Sequence, residues 1–381
     1  MKIAFVHNIC AHYTAKAFET LARHYNVDYL FYSKGNESYW MKEHSEGSGE
    51  FNCDYLSGFN IGNTRITPSL PIKLYRGRYE VFIKCIGGRF ALPATYIIAR
   101  LKRRPFILWT GIWIRINTWS HRFFFPLTRH IYRHSDAIVV YGDHVKRYLI
   151  SEGVQASKIF IAHHAVDNSL YNYQVPLHEK ENIFEFLNIE RGKKIILYLG
   201  RFIKRKGLNY LLEAYKNIDG DETVMVIAGT GPEMGSLKRF AEENDMAGRV
   251  RFPGYVPIEE TIKYYAIAWV YVLPSISIPV SKEPWGLVVN EAFNQGVPVI
   301  TTDAVGAAAG GLVQDGVNGF VVPEKDSQAL ANAIERILVD AGLRGRMSRK
   351  AKEIIDEWTH EKMVSGFQQA LKFVSEREKE I

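Results

Sequence analysis

Lys193-Lys194-Ile195-Ile196-Leu197-Tyr198-Leu199-Gly200 is a short apolar run that ends on glycine, and Arg201-Phe202-Ile203-Lys204-Arg205-Lys206-Gly207 follows it before a helical pattern at Leu208–Asn217. Apolar on every side, the run reads as a strand covered on both faces, the signature of a parallel sheet. Similar runs recur at Thr223–Gly229, Val250–Gly254, Trp269–Pro274 and Val297–Thr301. Between them lie helical patterns at Glu233–Asn244, Ile258–Ala266 and Trp285–Asn294. Strands alternating with amphipathic helices predict an α/β domain.

The first half repeats the theme. Strands are expected at Lys2–His7, Val27–Phe31, Glu80–Cys85, Phe106–Thr110 and Ala137–Tyr141. Helices are expected at Thr14–His24, Pro93–Lys102, Trp119–His134 and His144–Ser151. Polar, Gly-rich Ser33–Asn63 reads as a long loop where an acceptor could be held, and Asp167–Glu190 as the break between two domains. With 381 residues, 47% of them hydrophobic, each half can bury a core.

No secretory leader follows the first strand, and no apolar run is long enough to span a bilayer. Three scattered cysteines, without a metal-type pair, fit a reduced cytoplasmic setting. The charge is uneven. Residues 1–180 hold 23 Lys/Arg against 13 Asp/Glu, and 16 of those basic residues fall within 65–147. Such a field attracts an anion: a membrane surface, a phosphorylated acceptor or nucleic acid. Basic and aromatic residues alternate in Arg122-Phe123-Phe124-Phe125-Pro126-Leu127, which suits either an anionic leaflet or a buried helix face.

In open parallel sheets, ligands bind at the carboxyl ends of strands. Arg201 and Lys206 lie there and can bring two cations to one phosphate. Gly229 and Gly231 of Gly-Thr-Gly-Pro permit a close backbone approach. Gly254-Tyr255-Val256-Pro257 offers backbone to a base edge. In Glu283-Pro284-Trp285-Gly286-Leu287-Val288-Val289-Asn290-Glu291-Ala292, two carboxylates stand eight positions apart. Residues 286–288 are expected to form the first helical turn, whose free N–H groups suit a phosphate, with Glu291 about two turns inside. Asp219-Gly220-Asp221 has a metal-binding spacing but precedes a strand, which a helix-to-strand turn explains better.

This order of motifs, closed by Gly-Val-Pro-Val-Ile-Thr-Thr at 296–302, resembles the retaining GT-B glycosyltransferases of family 4, whose hallmark is E-x7-E. The resemblance is good over about residues 195–340 and weak before them. It implies two Rossmann-like domains facing each other across a cleft. The first, over 1–180, would bind acceptor, and the second, over 188–358, a nucleotide sugar. A C-terminal helix at about 360–381 would return to the first domain. The implied reaction moves a sugar, with retention and without a metal or other cofactor, from a nucleoside-diphosphate sugar to a glycan or lipid-linked hydroxyl in surface polysaccharide or glycolipid synthesis.

Under the same resemblance, Arg201 and Lys206 bind the pyrophosphate, Glu283 the donor sugar and Glu291 the ribose. Backbone at Gly286, Leu287 and Val288 cradles the distal phosphate, and Val256 lies near the base. The first half departs from the family: the loop after its first strand, His7 to His12, has no glycine, and Trp109-Thr110-Gly111 stands where relatives carry a histidine. Thr110, Gly111, His12, His163 and His164, with His7, are therefore the acceptor-side candidates. The expected partners are donor, acceptor and an anionic membrane surface, with no nucleic acid. Two other readings compete: a non-catalytic basic protein binding anionic lipid or nucleic acid, and a sugar-nucleotide epimerase on the same fold.

Overall fold

The computed structural model describes residues 1–33, 49–62, 64–218 and 221–379. The chain forms two compact units. The first takes in residues 1–113, 117–164 and 360–381, and the second residues 114–116 and 165–359.

The strands of the first unit are β1 (Lys2–His7), β2 (Asn26–Phe31), β3 (Cys53–Tyr55), β4 (Phe59–Ile61), β5 (Thr64–Ile66), β6 (Val81–Cys85), β7 (Phe106–Thr110), β8 (Ala137–Val140) and β9 (Ile159–Ile161). Seven form one parallel sheet in the order β3-β2-β1-β6-β7-β8-β9, while β4 and β5 make an antiparallel pair. Its helices are α1 (His12–His24), α2 (Ser69–Arg76), α3 (Ala91–Leu101), α4 (Trp119–His134) and α5 (Asp143–Ser151), joined by a long C-terminal helix, His360–Lys379. Strands β6, β7 and β8 are buried along their whole length, Lys84 of β6 included, as strands of a sheet covered on both faces are. One core, built around Phe5, Phe18, Tyr29 and Trp109, also takes Met363, Val364, Phe367, Leu371 and Val374 from the C-terminal helix.

The segment read as one long loop is partly strand. Cys53–Tyr55 pairs with Tyr29–Phe31 at the sheet edge, a piece too short and too polar to show periodicity. Residues 34–48 and 63 of that loop lie outside the described residues.

In the second unit, β10 (Lys194–Leu199), β11 (Thr223–Ala228), β12 (Val250–Gly254), β13 (Val270–Leu273), β14 (Val299–Thr302) and β15 (Gly319–Val322) form a parallel sheet in the order β12-β11-β10-β13-β14-β15. The helices run from α6 (Asn168–Tyr171) and α7 (Leu177–Phe186) through α8 (Leu208–Lys216), α9 (Met234–Glu243), α10 (Ile258–Ile267), α11 (Val288–Asn294) and α12 (Gly306–Ala309) to α13 (Ser327–Val339) and α14 (Ala341–Ile355), so the C-terminal helix is α15. The domain break expected within 167–190 falls earlier, after His164. Residues 165–187, read as part of the first domain or its linker, belong to the second unit because α7 packs on α10 and Leu187 O accepts from Arg251 Nε at 2.8 Å. No described helix is long and apolar enough to cross a membrane.

Candidate functional site

The basic loop after β10 is held by buried tyrosines. Tyr198 Oη donates to Arg201 O at 2.9 Å, and Tyr271 Oη, on β13, donates to Leu199 O at 3.1 Å. Residues Lys204–Lys206 then make one 3-10 turn, closed by Gly207 at φ +64° as α8 begins. A Cβ at Gly207 would stand 2.2 Å from Pro274 O, so glycine lets the two loops touch.

That contact brings Lys206 to Glu283. Lys206 Nζ lies 2.7 Å from Glu283 Oε2, and Arg205 Nη1 lies 3.4 Å from Oε1. Ser275 Oγ donates to Oε2 at 3.2 Å. The Glu283 backbone is fixed as well: its carbonyl accepts from Gly306 N at 3.1 Å. Burial alone would raise the Glu283 carboxyl, but the ammonium of Lys206 and the guanidinium of Arg205 hold it down at about 2. Lys206 is lowered by the same burial and by its neighbours Arg205 and Arg201, with Glu283 opposing. Arg201 makes no ion pair among the described residues, yet its charge reaches Lys206 and Tyr198. Two cations thus share one carboxylate with a third acting on Lys206, and the surplus positive charge suits an anion with two or more negative charges, such as a diphosphate.

Glu291 occupies a different surrounding. Tyr265 Oη donates to its Oε2 at 2.8 Å, and the Tyr171 hydroxyl also bonds it. Among the described residues no cation offsets the burial of this carboxyl, which is raised to about 7. Tyr271 feels both carboxylates, and its ring packs 5.6 Å from that of Tyr265.

A folded value above the unfolded one of about 4.3 means that the protonated form favours folding. This stabilisation is complete below about pH 4 and is lost as pH rises through 7, an effect bounded at roughly 3 kcal/mol. Glu291→Gln should therefore flatten the fall in urea midpoint between pH 5 and pH 8. An unchanged fall would show that Glu291 does not titrate there.

The helix carrying Glu291 differs from expectation. It starts at Val288, not Trp285, so Glu291 lies in its first turn rather than two turns inside. Gly286, at φ +98°, bends the chain, because Trp285 is buried with its Nε1 donating to Asn290 Oδ1 at 2.9 Å. The first bond of this turn runs from Val289 N to Gly286 O at 3.0 Å, which leaves the N–H groups of Leu287 and Val288 ahead of the helical ladder.

The glycines at 229 and 231 serve packing. A Cβ at either would meet backbone, Gly200 O at 1.9 Å and Phe202 O at 2.4 Å. Val256 lines an open cavity of about 350 Å³ together with Ile183, Phe186, Tyr255 and Tyr264. Arg205, Ser275, Tyr171 and Tyr265 escaped the sequence reading. Arg205 alone had a signal, its place beside Lys206 in a run of three basic residues.

In the first unit, Thr110 Oγ1 accepts from Ile112 N at 3.1 Å, and Gly111 packs on the Tyr141 ring. The His164 ring lies 4.6 Å from Tyr141 and 6.0 Å from Tyr13, which in turn lies 5.1 Å from His12. Burial, with His360 and His7 nearby, takes His164 down to about 3, so it is neutral at pH 7. His163 is lowered by burial too. Among the described residues no cluster of three or more His, Cys, Asp or Glu could hold a metal; Asp219 and Gly220 lie outside them.

Residues 179–354 match the model of the glycosyl transferases group 1 family. A lipopolysaccharide core biosynthesis glycosyltransferase of Rhizobium meliloti, LpsE, is 32% identical over 178 residues, 46% of this chain and 49% of that protein. A GDP-mannose-dependent phosphatidylinositol monomannoside mannosyltransferase of Mycobacterium tuberculosis is 30% identical over 168 residues, 43% of each. The chain thus spans about half the length of the curated relatives it matches. The Anabaena protein HepE, solved with UDP and with UDP-glucose, is similar over 99% of this chain and 100% of its own in the UDP complex, with a TM-score of 0.78 at 19% identity. That likeness gives the chain the two-domain GT-B fold.

Proposed function

We propose that the chain, whose residues 179–354 match the glycosyl transferases group 1 model, transfers a sugar from a nucleoside-diphosphate sugar to a hydroxyl of a glycan or lipid-linked acceptor, with retention at the anomeric carbon. The observation that carries this reading is the buried Glu283, held ionised by Lys206 and Arg205, with the charge of Arg201 reaching Lys206. A diphosphate leaving group needs cations in place before its charge develops. Arg201 and Lys206 meet that charge, and Arg205 is added to them. Glu283 takes a hydroxyl of the transferred sugar. Glu291, with Tyr265, takes the ribose, and the N–H groups of Leu287 and Val288 face the distal phosphate. The acceptor attacks on the face the leaving group departs from, and a departing phosphate oxygen takes its proton. This route needs no side-chain base, which suits a neutral His164.

HepE with UDP-glucose favours a uridine donor, whereas the mycobacterial relative favours guanosine. Mixing the chain with UDP-glucose or GDP-mannose in EDTA should give saturable donor binding and slow release of the nucleoside diphosphate. No binding of either donor at millimolar concentration would refute the proposal, and loss of turnover in EDTA alone would refute its metal-independent form.

The acceptor side is proposed to meet an anionic membrane surface from the cytoplasm. On α4, Phe123 is 73% and Phe124 54% exposed, with Arg122 and Arg129 exposed on the same helix. The aromatic run is thus a surface feature, which favours the leaflet over the buried-helix alternative. The chain should float with vesicles containing anionic lipid at low salt, and Phe123→Ser with Phe124→Ser should weaken this severalfold. Absence of flotation in the parent removes the membrane partner.

A further inference from the structure

Lys84, on β6, has no exposed surface. Its Nζ donates to Cys85 O and Gly87 O, both at 2.7 Å, and lies 3.4 Å from Cys85 Sγ and 4.7 Å from the Tyr32 ring centroid. Three acceptors around one nitrogen call for three N–H bonds, which an ammonium has and a neutral amine lacks. A buried ammonium is costly without a counter-charge. Burial lowers Lys84 and Cys85 opposes that shift, while the other two acceptors of Lys84 are neutral carbonyls. The sulfur is the acceptor able to carry a negative charge.

His7 completes the cluster from the end of β1. Its Nδ1 lies 2.9 Å from Ile9 O, and its ring also hydrogen-bonds Cys85. Cys85 and His7 stand at the carboxyl ends of adjacent strands, where parallel sheets meet ligands. Trp109, paired in register with Cys85, packs 5.4 Å from the His7 ring, and its buried Nε1 has no hydrogen-bond partner among the described residues.

We infer that Cys85 is a reactive thiolate, paired with the Lys84 ammonium and His7, and a modification site for small peroxides and soft electrophiles. It stands independently of the glycosyl transfer reading. Cys85 is buried, which would raise the thiol, but the charges of His7 and Lys84 bring it below the usual thiol range. Cys53 serves as a control in the same chain: it is exposed, and desolvation with the nearby Asp54 raises it. With hydrogen peroxide, the Cys85 thiolate attacks one oxygen, an S–O bond forms and the O–O bond breaks. The sulfur is oxidised by two electrons to sulfenic acid, and the departing hydroxide takes a proton to become water.

The test is alkylation of the intact, folded chain with iodoacetamide from pH 6 to 8.5, read by peptide mass spectrometry. Alkylation of Cys85 should change less than about threefold over this range, while Cys53 accelerates by more than about tenfold, because the thiolate is the nucleophile. After peroxide, dimedone should label Cys85 before Cys53, and Cys85→Ser should remove that label. Lys84→Met should make Cys85 as pH-dependent as Cys53; should that variant not fold, the profile of the parent decides alone. A Cys85 rate that climbs in parallel with Cys53, or no alkylation of Cys85 in the folded chain, overturns the inference.

Discussion

Glu283→Ala should lose turnover by about a thousandfold or more while destabilising its unit by roughly 3–5 kcal/mol. Both effects come from one arrangement. The carboxylate is 6% exposed and neutralises Lys206 and Arg205, so its removal leaves two cations in a buried place with no counter-charge. Glu283→Gln separates the roles: the amide still accepts from Ser275 and fills the same volume but carries no charge. We expect Gln to fold better than Ala and to be nearly as inactive. The acid limb gives a further check. A folded value near 2 lies below the unfolded one, so the ionised carboxylate adds stability above about pH 4.5 that disappears as pH falls through 2. That contribution is about 3 kcal/mol, and Glu283→Gln should lose it at pH 7 but differ little from the parent at pH 2. Urea titrations at the two pH values measure it; a Gln variant with parental activity would remove Glu283 from the reaction.

Gly207→Ala should damage both the folding and the site of the second unit. Its φ of +64° alone costs about 1 kcal/mol for alanine. The added Cβ would also stand 2.2 Å from Pro274 O, a backbone atom that cannot rotate away. Moving either loop separates Lys206 from Glu283, so a loss of roughly 3 kcal/mol or more, with turnover lost too, is expected. Gly311→Ala supplies the comparison, since φ there is +89° but nothing lies within 4 Å of the new methyl. It should cost about 1 kcal/mol and leave turnover intact. Equal urea midpoints for the two variants would mean that the 207 loop yields without strain.

The sheets were legible because their strands are buried on both faces and read as unbroken apolar runs, as in Ile195–Tyr198 of the second unit and Ala137–Val140 of the first. The edge pieces Cys53–Tyr55, Ile159–Ile161 and Gly319–Val322 were not, because they are short and lie among polar or glycine-bearing neighbours. At the site, Glu283 and Glu291 stood out by their spacing of eight, and Lys206 by the family pattern that its segment resembles. Arg205 did not, since one basic residue among three gives no clue to which one turns inward. That choice depends on the 3-10 turn at 204–206, which Gly207 closes. The tyrosines at 171, 198, 265 and 271 read as ordinary core, because an apolar ring hides where its hydroxyl points. Gly229 and Gly231 have a second reason to be glycine that the sequence does not show: backbone of Gly200 and Phe202 lies where a Cβ would stand.

The first unit closes its core with α15, whose Phe367 ring lies 5.4 Å from Trp109 and 5.8 Å from Phe5. During synthesis, β1 leaves the ribosome more than 350 residues before that phenylalanine does. The second unit, nearly continuous in the chain, has all its strands available first. Order of translation and order of completion are therefore inverted, and the nascent amino-terminal sheet must wait with an uncovered apolar face, a ready substrate for chaperones.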